Sequence, residues 1–340
     1  MRLSVAGNLL IAGEYLVLRE GGLGLACAVE PRVRASADPA ERWSVRAIMG
    51  AEARSWFPPP AGDAANGDAA ASPAARPASL PVAAAVFAQA ERLWRAGGLK
   101  PRPLAVELDS SAFFGPGGRK AGYGSSAASA VALSLILGRA AGLEGEALRD
   151  FALEAALLGH RAAQGGRGSG YDVYASAHGG LGLFIGGARP AWRPLPEPRL
   201  PPAFLFPGPA PVASPDAAKR FAAWLGRGDA GASAMLQAGD EAVAALADAA
   251  DSREFGERLR VARNLGSALG SAIGVPAELE PPLGLASAVA KASGAGDELG
   301  MAFFDGGKGG DARAADRFVD AGLKLGLREL KPAEGPLWLS

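Results

Sequence analysis

Short apolar runs and longer helical periodicities divide the chain almost evenly. Residues 3–5 and 9–12 read as paired strands around a turn at Ala6-Gly7. Residues 25–33 and 43–48 add further strands, rich in Val and in alternation. Residues 82–96 predict a helix, and 104–108 a strand that leads to a glycine-marked loop. Two helices follow at 127–141 and 144–164, the second with Phe151, Leu153, Leu157 and Leu158 as its apolar set. After residue 172 the pattern turns to strand, most clearly at 182–185, and the proline-rich stretch 190–202 reads as a link. Beyond it come a strand at 204–207, helices near 215–225, 233–250, 254–270 and 283–292, and strands at 301–304 and around Trp338. Residues 58–79 have almost no large apolar side chain and predict a mobile loop, since burial there cannot offset the entropy of ordering. Two domains are expected, at 1–190 and 200–340. Strands mix with helices in both without a repeated βα unit, which favours the α+β class.

Composition narrows the function. Lys plus Arg and Asp plus Glu both total 35 in 340 residues, so no net charge draws the protein to nucleic acid or to an anionic membrane. An anionic ligand must be held by local geometry. The single cysteine, Cys27, excludes an internal disulfide, and with two histidines it also excludes a Cys/His zinc site. Residues 2–12 look superficially like a signal peptide, but Glu14 follows at once and the glycines belong to a motif. The longest apolar stretch, 127–137, is too short to span a bilayer. A soluble cytoplasmic protein, monomer or homodimer, is expected.

The chemistry-bearing signal is the stretch Lys120-Ala121-Gly122-Tyr123-Gly124-Ser125-Ser126-Ala127, which runs into a long helix former. Two glycines let the backbone approach a ligand. The hydroxyls can cap the helix or reach a metal-bound phosphate, and the first free amides of the helix face an anion. This is a phosphate cradle by mechanism, although a glycine turn feeding a serine-capped helix is also a common structural device. Three more glycine-marked segments accompany it. They are Ala6-Gly7-Asn8-Leu9-Leu10-Ile11-Ala12-Gly13-Glu14-Tyr15, Gly168-Ser169-Gly170-Tyr171-Asp172-Val173 and Lys291-Ala292-Ser293-Gly294-Ala295-Gly296-Asp297-Glu298.

In this order the four segments resemble the three signature motifs and the catalytic acidic segment of the GHMP kinases, a resemblance that spans residues 6–300. It implies a two-domain fold, with an N-terminal domain like ribosomal protein S5 domain 2 and a ferredoxin-like C-terminal domain. It also implies ATP and Mg²⁺ as cofactors and a small-molecule substrate. Gly122, Tyr123, Gly124, Ser125, Ser126 and Ala127 would hold the nucleotide phosphates, with Ser126 also contacting the metal. Asp172 stands where the family has its catalytic aspartate, to orient or deprotonate the acceptor oxygen. Read without the family, an Asp in such a loop equally fixes its own turn. Ser293, Gly294, Ala295 and Gly296 match the third motif, which closes over phosphates or substrate. Its acidic residues arrive early here, and Lys291 suits either a phosphate or a helix end.

Within the family the details are most similar to the phosphomevalonate kinase branch. The first motif ends Gly13-Glu14-Tyr15, Lys120 precedes the glycine loop, and His160 with Gln164 precedes Gly168-Ser169-Gly170-Tyr171-Asp172-Val173. The resemblance therefore implies phosphorylation of 5-phosphomevalonate to the diphosphate, in the mevalonate route to isoprenoids. Glu14, Tyr15, Lys120, His160, Ser169 and Gly170 would lie on the substrate side, with Lys120 on the acceptor's phosphate. One position departs from the pattern: Asn8 stands where these kinases normally carry a lysine beside the aspartate, although homoserine kinases also have asparagine there. Asn8 and Lys120 therefore join Asp172 as candidate catalytic residues. A kinase for another small acid or sugar such as mevalonate, and a nucleotide- or metabolite-binding homologue with weakened catalysis, remain the alternatives.

Overall fold

The computed structural model describes residues 1–59, 79–115, 118–166, 168–195, 200–209, 214–228, 231–275, 279–285, 287–294, 298–306 and 313–339. Its first half contains β1 (Arg2–Ala12), β2 (Leu23–Pro39), β3 (Ser44–Met49), β4 (Glu52–Trp56), α1 (Pro81–Ala96), β5 (Leu104–Asp109), α2 (Ser125–Ala140), α3 (Gly145–Ala163), α4 (Tyr171–His178), β6 (Leu181–Ile185) and β7 (Ala191–Pro194). The second half contains β8 (Ala203–Pro207), α5 (Ser214–Gly226), α6 (Ala232–Ala247), α7 (Ser252–Ala272), β9 (Ala288–Ala292), β10 (Leu299–Phe304), α8 (Ala314–Lys324), β11 (Arg328–Glu329) and β12 (Leu337–Trp338). One sheet runs β12-β1-β2-β5-β3-β4, with β6 paired to β2 and β7 to β6; the other runs β11-β8-β10-β9. The expected α+β class is what forms. Among the described residues no helix is long and apolar enough to cross a membrane.

Residues 2–12 form one strand, not two strands around a turn. The irregularity at Ala6-Gly7 is a shift in the β1–β2 register. Ala6 pairs with Arg32 and Gly7 with Val29, so the unpaired residues, Glu30 and Pro31, belong to β2, and the side chains change face across the shift. Before it, Leu3 and Val5 join the core beneath the helices; after it, Leu10 does so while Leu9 and Ile11 turn the other way. That other face packs against the second half of the chain. Leu9, Ile11, Leu25 and Cys27 share one apolar cluster with Leu205, Leu236, Leu259, Met301 and Phe303. The middle of β1–β2 is therefore buried on both faces, which explains its unbroken apolar run.

Helix α2 is the centre of the first core. It is apolar nearly all round because it packs on β1 and β2 below and on α1, α3 and α4 beside it. Leu133, Ile136 and Leu137 are all buried there, and full burial of such a side chain contributes about 1.5–3 kcal/mol. Small residues at the contacts matter as much. A Cβ at Gly159 of α3 would overlap the Val86 backbone of α1.

Other expectations need correction. The segment after Asp172 is first a helix, α4, because the αL glycine Gly170 (φ 90°) starts a helical turn before the strand β6 begins. Residues 283–292 are not a helix: 288–292 form β9, which pairs with β10 through Gly300 opposite Ala292. There the apolar run is a doubly buried strand, which periodicity alone does not separate from a buried helix. Part of the expected link, residues 191–194, is the edge strand β7. The expected mobile loop lies outside the described residues apart from 58, 59 and 79.

Candidate active site

The glycine loop sits on β1 by close backbone contact. A Cβ on Gly7 would overlap the Tyr123 carbonyl oxygen and the Phe113 ring, and the Asn8 amide donates to that carbonyl at 3.0 Å. Gly122 (φ 78°) and Gly124 (φ 68°) both use left-handed backbone, and Gly124 is the N-cap of α2. No side chain caps the helix, so Ser125 and Ser126 serve no capping role. Asn8, 3 % exposed, lies under the loop. Its Nδ2 donates to Ser176 Oγ at 3.0 Å and to the Gly124 carbonyl at 3.3 Å. Asn8 follows the β1–β2 register shift and faces the helices. Its carboxamide is a fastener between strand, loop and α4.

Two cavities flank this loop. The first, of about 210 Å³, is mainly apolar, with Met49, Leu108 and Phe114 on its walls, and is floored by Ser125, Ser126 and Ser129 of α2. Ala127, the last residue expected on the phosphates, is fully buried in the core below. Lys120, which is exposed, also lines this cavity. The second, of about 110 Å³, contains Asp172 with Glu14, Tyr15, Ser169, Tyr171 and Gly294. Lys120 and Asp172 thus stand in different cavities, and Lys120 is on the loop side of the site.

One imidazole joins the two. His160 is 1 % exposed, lines neither cavity, and so does not reach a substrate there as expected. Its Nε2 lies 2.9 Å from Ser126 Oγ and 3.4 Å from Gln164 Nε2, and its Nδ1 lies 3.4 Å from Asp172 Oδ2. Asp172 stands in the first turn of α4, where the helix end favours a negative charge. Its Oδ1 accepts from the Val173 amide at 2.9 Å. Burial, together with the Asp172 charge, pushes the neighbouring Tyr171 phenol far up.

Sequence reasoning missed the group that holds the Asp172 loop. Arg161 donates from Nε to the Gly168 carbonyl at 2.9 Å, and from Nη2 to the carbonyls of Ser169 at 2.5 Å and Gly187 at 3.1 Å. Burial lowers its pKa, partly opposed by Tyr174 and Asp172. Nothing in the spacing marks an Arg that bonds only to backbone.

The first and third motifs meet in the second cavity. Lys291 is in a strand, not at a helix end; it is 4 % exposed and forms an ion pair with Glu14, itself 8 % exposed. Burial pushes the ammonium down to about 7. Tyr15 adopts φ 66° and stacks on Phe221 of α5 at 5.9 Å. Ser293 Oγ donates to the Leu10 carbonyl at 3.3 Å. Gly294 closes the wall, while Ala295 and Gly296 lie outside the described residues. Among the described residues no group of three or more His, Cys, Asp or Glu side chains could hold a metal ion.

A glycine loop on a helix N-terminus therefore lies beside a cavity that holds a carboxylate. Residues 82–180 match the family model described as the GHMP kinases N terminal domain. Solved structures agree over the whole length. The Lin0012 protein from Listeria innocua is 20 % identical with a TM-score of 0.78, covering 99 % of this chain and 98 % of that one. Streptococcus pneumoniae phosphomevalonate kinase in complex with phosphomevalonate and AMPPNP is 19 % identical with a TM-score of 0.70, covering 98 % and 99 %. Methanococcus jannaschii mevalonate kinase is 12 % identical with a TM-score of 0.66, covering 98 % of both. A search of the curated proteins found no match. Residues 82–180 are thus similar to a GHMP kinase N-terminal domain, and the whole chain has the fold of the solved phosphomevalonate and mevalonate kinases.

Proposed function

We propose that the protein is an ATP-dependent kinase for a small acceptor, and that the acceptor is 5-phosphomevalonate. The observation that carries the reading is the juxtaposition of two cavities. Ser126 floors one, Asp172 stands in the other, and a single buried imidazole lies between them. Phosphoryl transfer needs phosphates held still, charge neutralised and an acceptor oxygen in line with the γ-phosphorus. The apolar walls around Met49 and Phe114 suit a nucleobase, and the loop amides with Lys120 suit the phosphates. An acceptor phosphate oxygen bonds to the γ-phosphorus as the bond to the ADP oxygen breaks. Asp172 orients that acceptor and takes its proton when it carries one. Lys120, beside Ser126, offsets charge where two phosphates approach.

The donor set fits Mg²⁺. The Ser126 hydroxyl suits an ion that keeps several waters and takes its other ligands from phosphates. When bound, it would neutralise charge on the transferred phosphoryl group. The acceptor identity leans on the likeness to the Streptococcus enzyme, and on Lys120.

An unphosphorylated hydroxyl acceptor is the second reading, because no Lys or Arg lines the Asp172 cavity among the described residues. ADP release measured with phosphomevalonate, mevalonate and homoserine offered separately decides between them. Turnover with phosphomevalonate alone is expected; preference for either of the others would overturn the acceptor assignment. Asp172→Asn adds a second arm. A phosphate acceptor sheds its last proton near a pH of about 6. Its dependence on a base should therefore shrink above that pH, whereas an alcohol needs the base throughout.

A further inference from the structure

We propose that His160 is a positioning residue, locking the Ser126 hydroxyl and the Asp172 carboxylate into one unit through a single tautomer. The inference rests on the kinase reading of these two residues. The Gln164 amide nitrogen, 3.4 Å from Nε2, can only donate, which fits a bare Nε2; the Ser126 hydroxyl at 2.9 Å, able to donate or accept, then donates to it. The Asp172 carboxylate, 3.4 Å from Nδ1, can only accept, so Nδ1 carries the proton. The hydrogens are assigned from these partners, as is usual for imidazoles. At 1 % exposure, water does not compete for either nitrogen.

No other neighbour is free to do this work. Asn8 spends its amide on Ser176 and the Gly124 carbonyl. Arg161, the nearby cation, spends its donors on three loop carbonyls. Among the described residues, the Val173 amide donates to Asp172 Oδ1, and His160 Nδ1 lies 3.4 Å from Oδ2. Two consequences follow. With its proton donated to His160, Ser126 Oγ keeps its lone pairs for a cation that would sit at the phosphates. With Oδ1 and Oδ2 both held, Asp172 cannot rotate away from the acceptor.

The first test needs no turnover. Long-range proton–nitrogen correlation spectra of the nitrogen-15-labelled protein report which ring nitrogen is protonated. Only two histidines are present, and His178→Gln removes the other set of signals. The expected pattern is protonated Nδ1 with bare Nε2. The opposite tautomer, or rapid exchange between the two, would overturn the proposal and leave the kinase reading standing.

The second test separates the two bonds. An Asn amide lies near the place of Nδ1 and a Gln amide near that of Nε2. His160→Asn should keep kcat and raise KM for ATP by about ten-fold, the loss of one hydrogen bond. His160→Gln should keep that KM and lower kcat by a similar factor. Two variants with the same profile would mean that His160 merely fills space. Failure of the kinase reading looks different, because the wild-type protein would then release no ADP with any acceptor.

Discussion

Gly124→Ala combined with Asn8→Ala tests the loop's foundation. Gly124 has φ 68°, and an added Cβ would overlap the Asn8 carboxamide. The left-handed backbone alone costs a residue with a Cβ about 1–2 kcal/mol. Asn8 must also turn away, giving up its bonds to Ser176 and Gly124, at about 0.5–1.5 kcal/mol each. Gly124→Ala should therefore cost about 2–5 kcal/mol. Asn8→Ala loses the same two bonds and should cost about 1–3 kcal/mol. In the double variant those bonds are lost once and the overlap is gone, so its cost should stay near that of Gly124→Ala alone. The singles should thus exceed the double, when summed, by about 1–3 kcal/mol. Urea unfolding of the four proteins measures this, with calorimetric titration of ATP alongside. ATP should bind more weakly to Gly124→Ala, since the loop amides move with Asn8. Additive costs would refute the overlap. Unchanged ATP affinity with lowered stability would remove the loop from the nucleotide site.

Two further tests address the charged groups. Lys120→Ala should lower kcat/KM by about ten- to a hundred-fold with a phosphorylated acceptor, the worth of a charge-assisted contact to phosphate. Equal losses with an unphosphorylated acceptor would put Lys120 on ATP alone. Lys291, pushed down to about 7 from 10.5 by burial, releases its proton in the folded chain while the unfolded chain still holds it. The stability of the wild type relative to Lys291→Met should accordingly rise with pH across that window. Urea unfolding near neutrality and at about pH 9.5 checks the sign, and a flat or falling difference would show that Glu14 keeps the ammonium charged.

Much of this was legible in the sequence because glycine has positional meaning. Gly122 and Gly124 mark a left-handed turn before a helix, and that is what forms. Periodicity found α1, α2 and α3, whose apolar faces follow the helical repeat. It failed where burial is two-sided. Residues 288–292 have no polar face, because β9 is covered on both sides, and so they carry no strand alternation. It also failed on Ala6-Gly7, where the dipeptide reads as a turn but β1 runs straight through it and the two extra residues belong to β2. Within the site, the resemblance pointed to Ser126 and Asp172, which line the two cavities, whereas Arg161, which touches only the protein, carries no local signal. Arg161 bonds to carbonyls, which any sequence supplies. Lys291 meets Glu14 across a separation that no local pattern encodes.

The β1–β2 register shift at Ala6-Gly7 links these observations. Without it, side chains would alternate regularly from Leu3 onward, and Asn8 would face the same side as Ser4, away from Leu3 and Val5. The register shift turns Asn8 and Leu10 toward α2 and α4, and leaves Leu9 and Ile11 for the second half. A single strand can then do two things within four residues. Through Asn8 it fixes the loop that floors one cavity; through the Leu10 carbonyl it holds Ser293 at the wall of the other. The Glu14–Lys291 pair repeats that connection one turn further on, beside Tyr15 and Gly294. The second cavity is therefore assembled from both halves on a strand whose faces are committed to both cores. Small movements of the second half relative to the first would be resisted at Leu9 and Ile11, which have no solvent face along which to slide. A site built this way is preorganised by packing, and it asks of a ligand only that it fit.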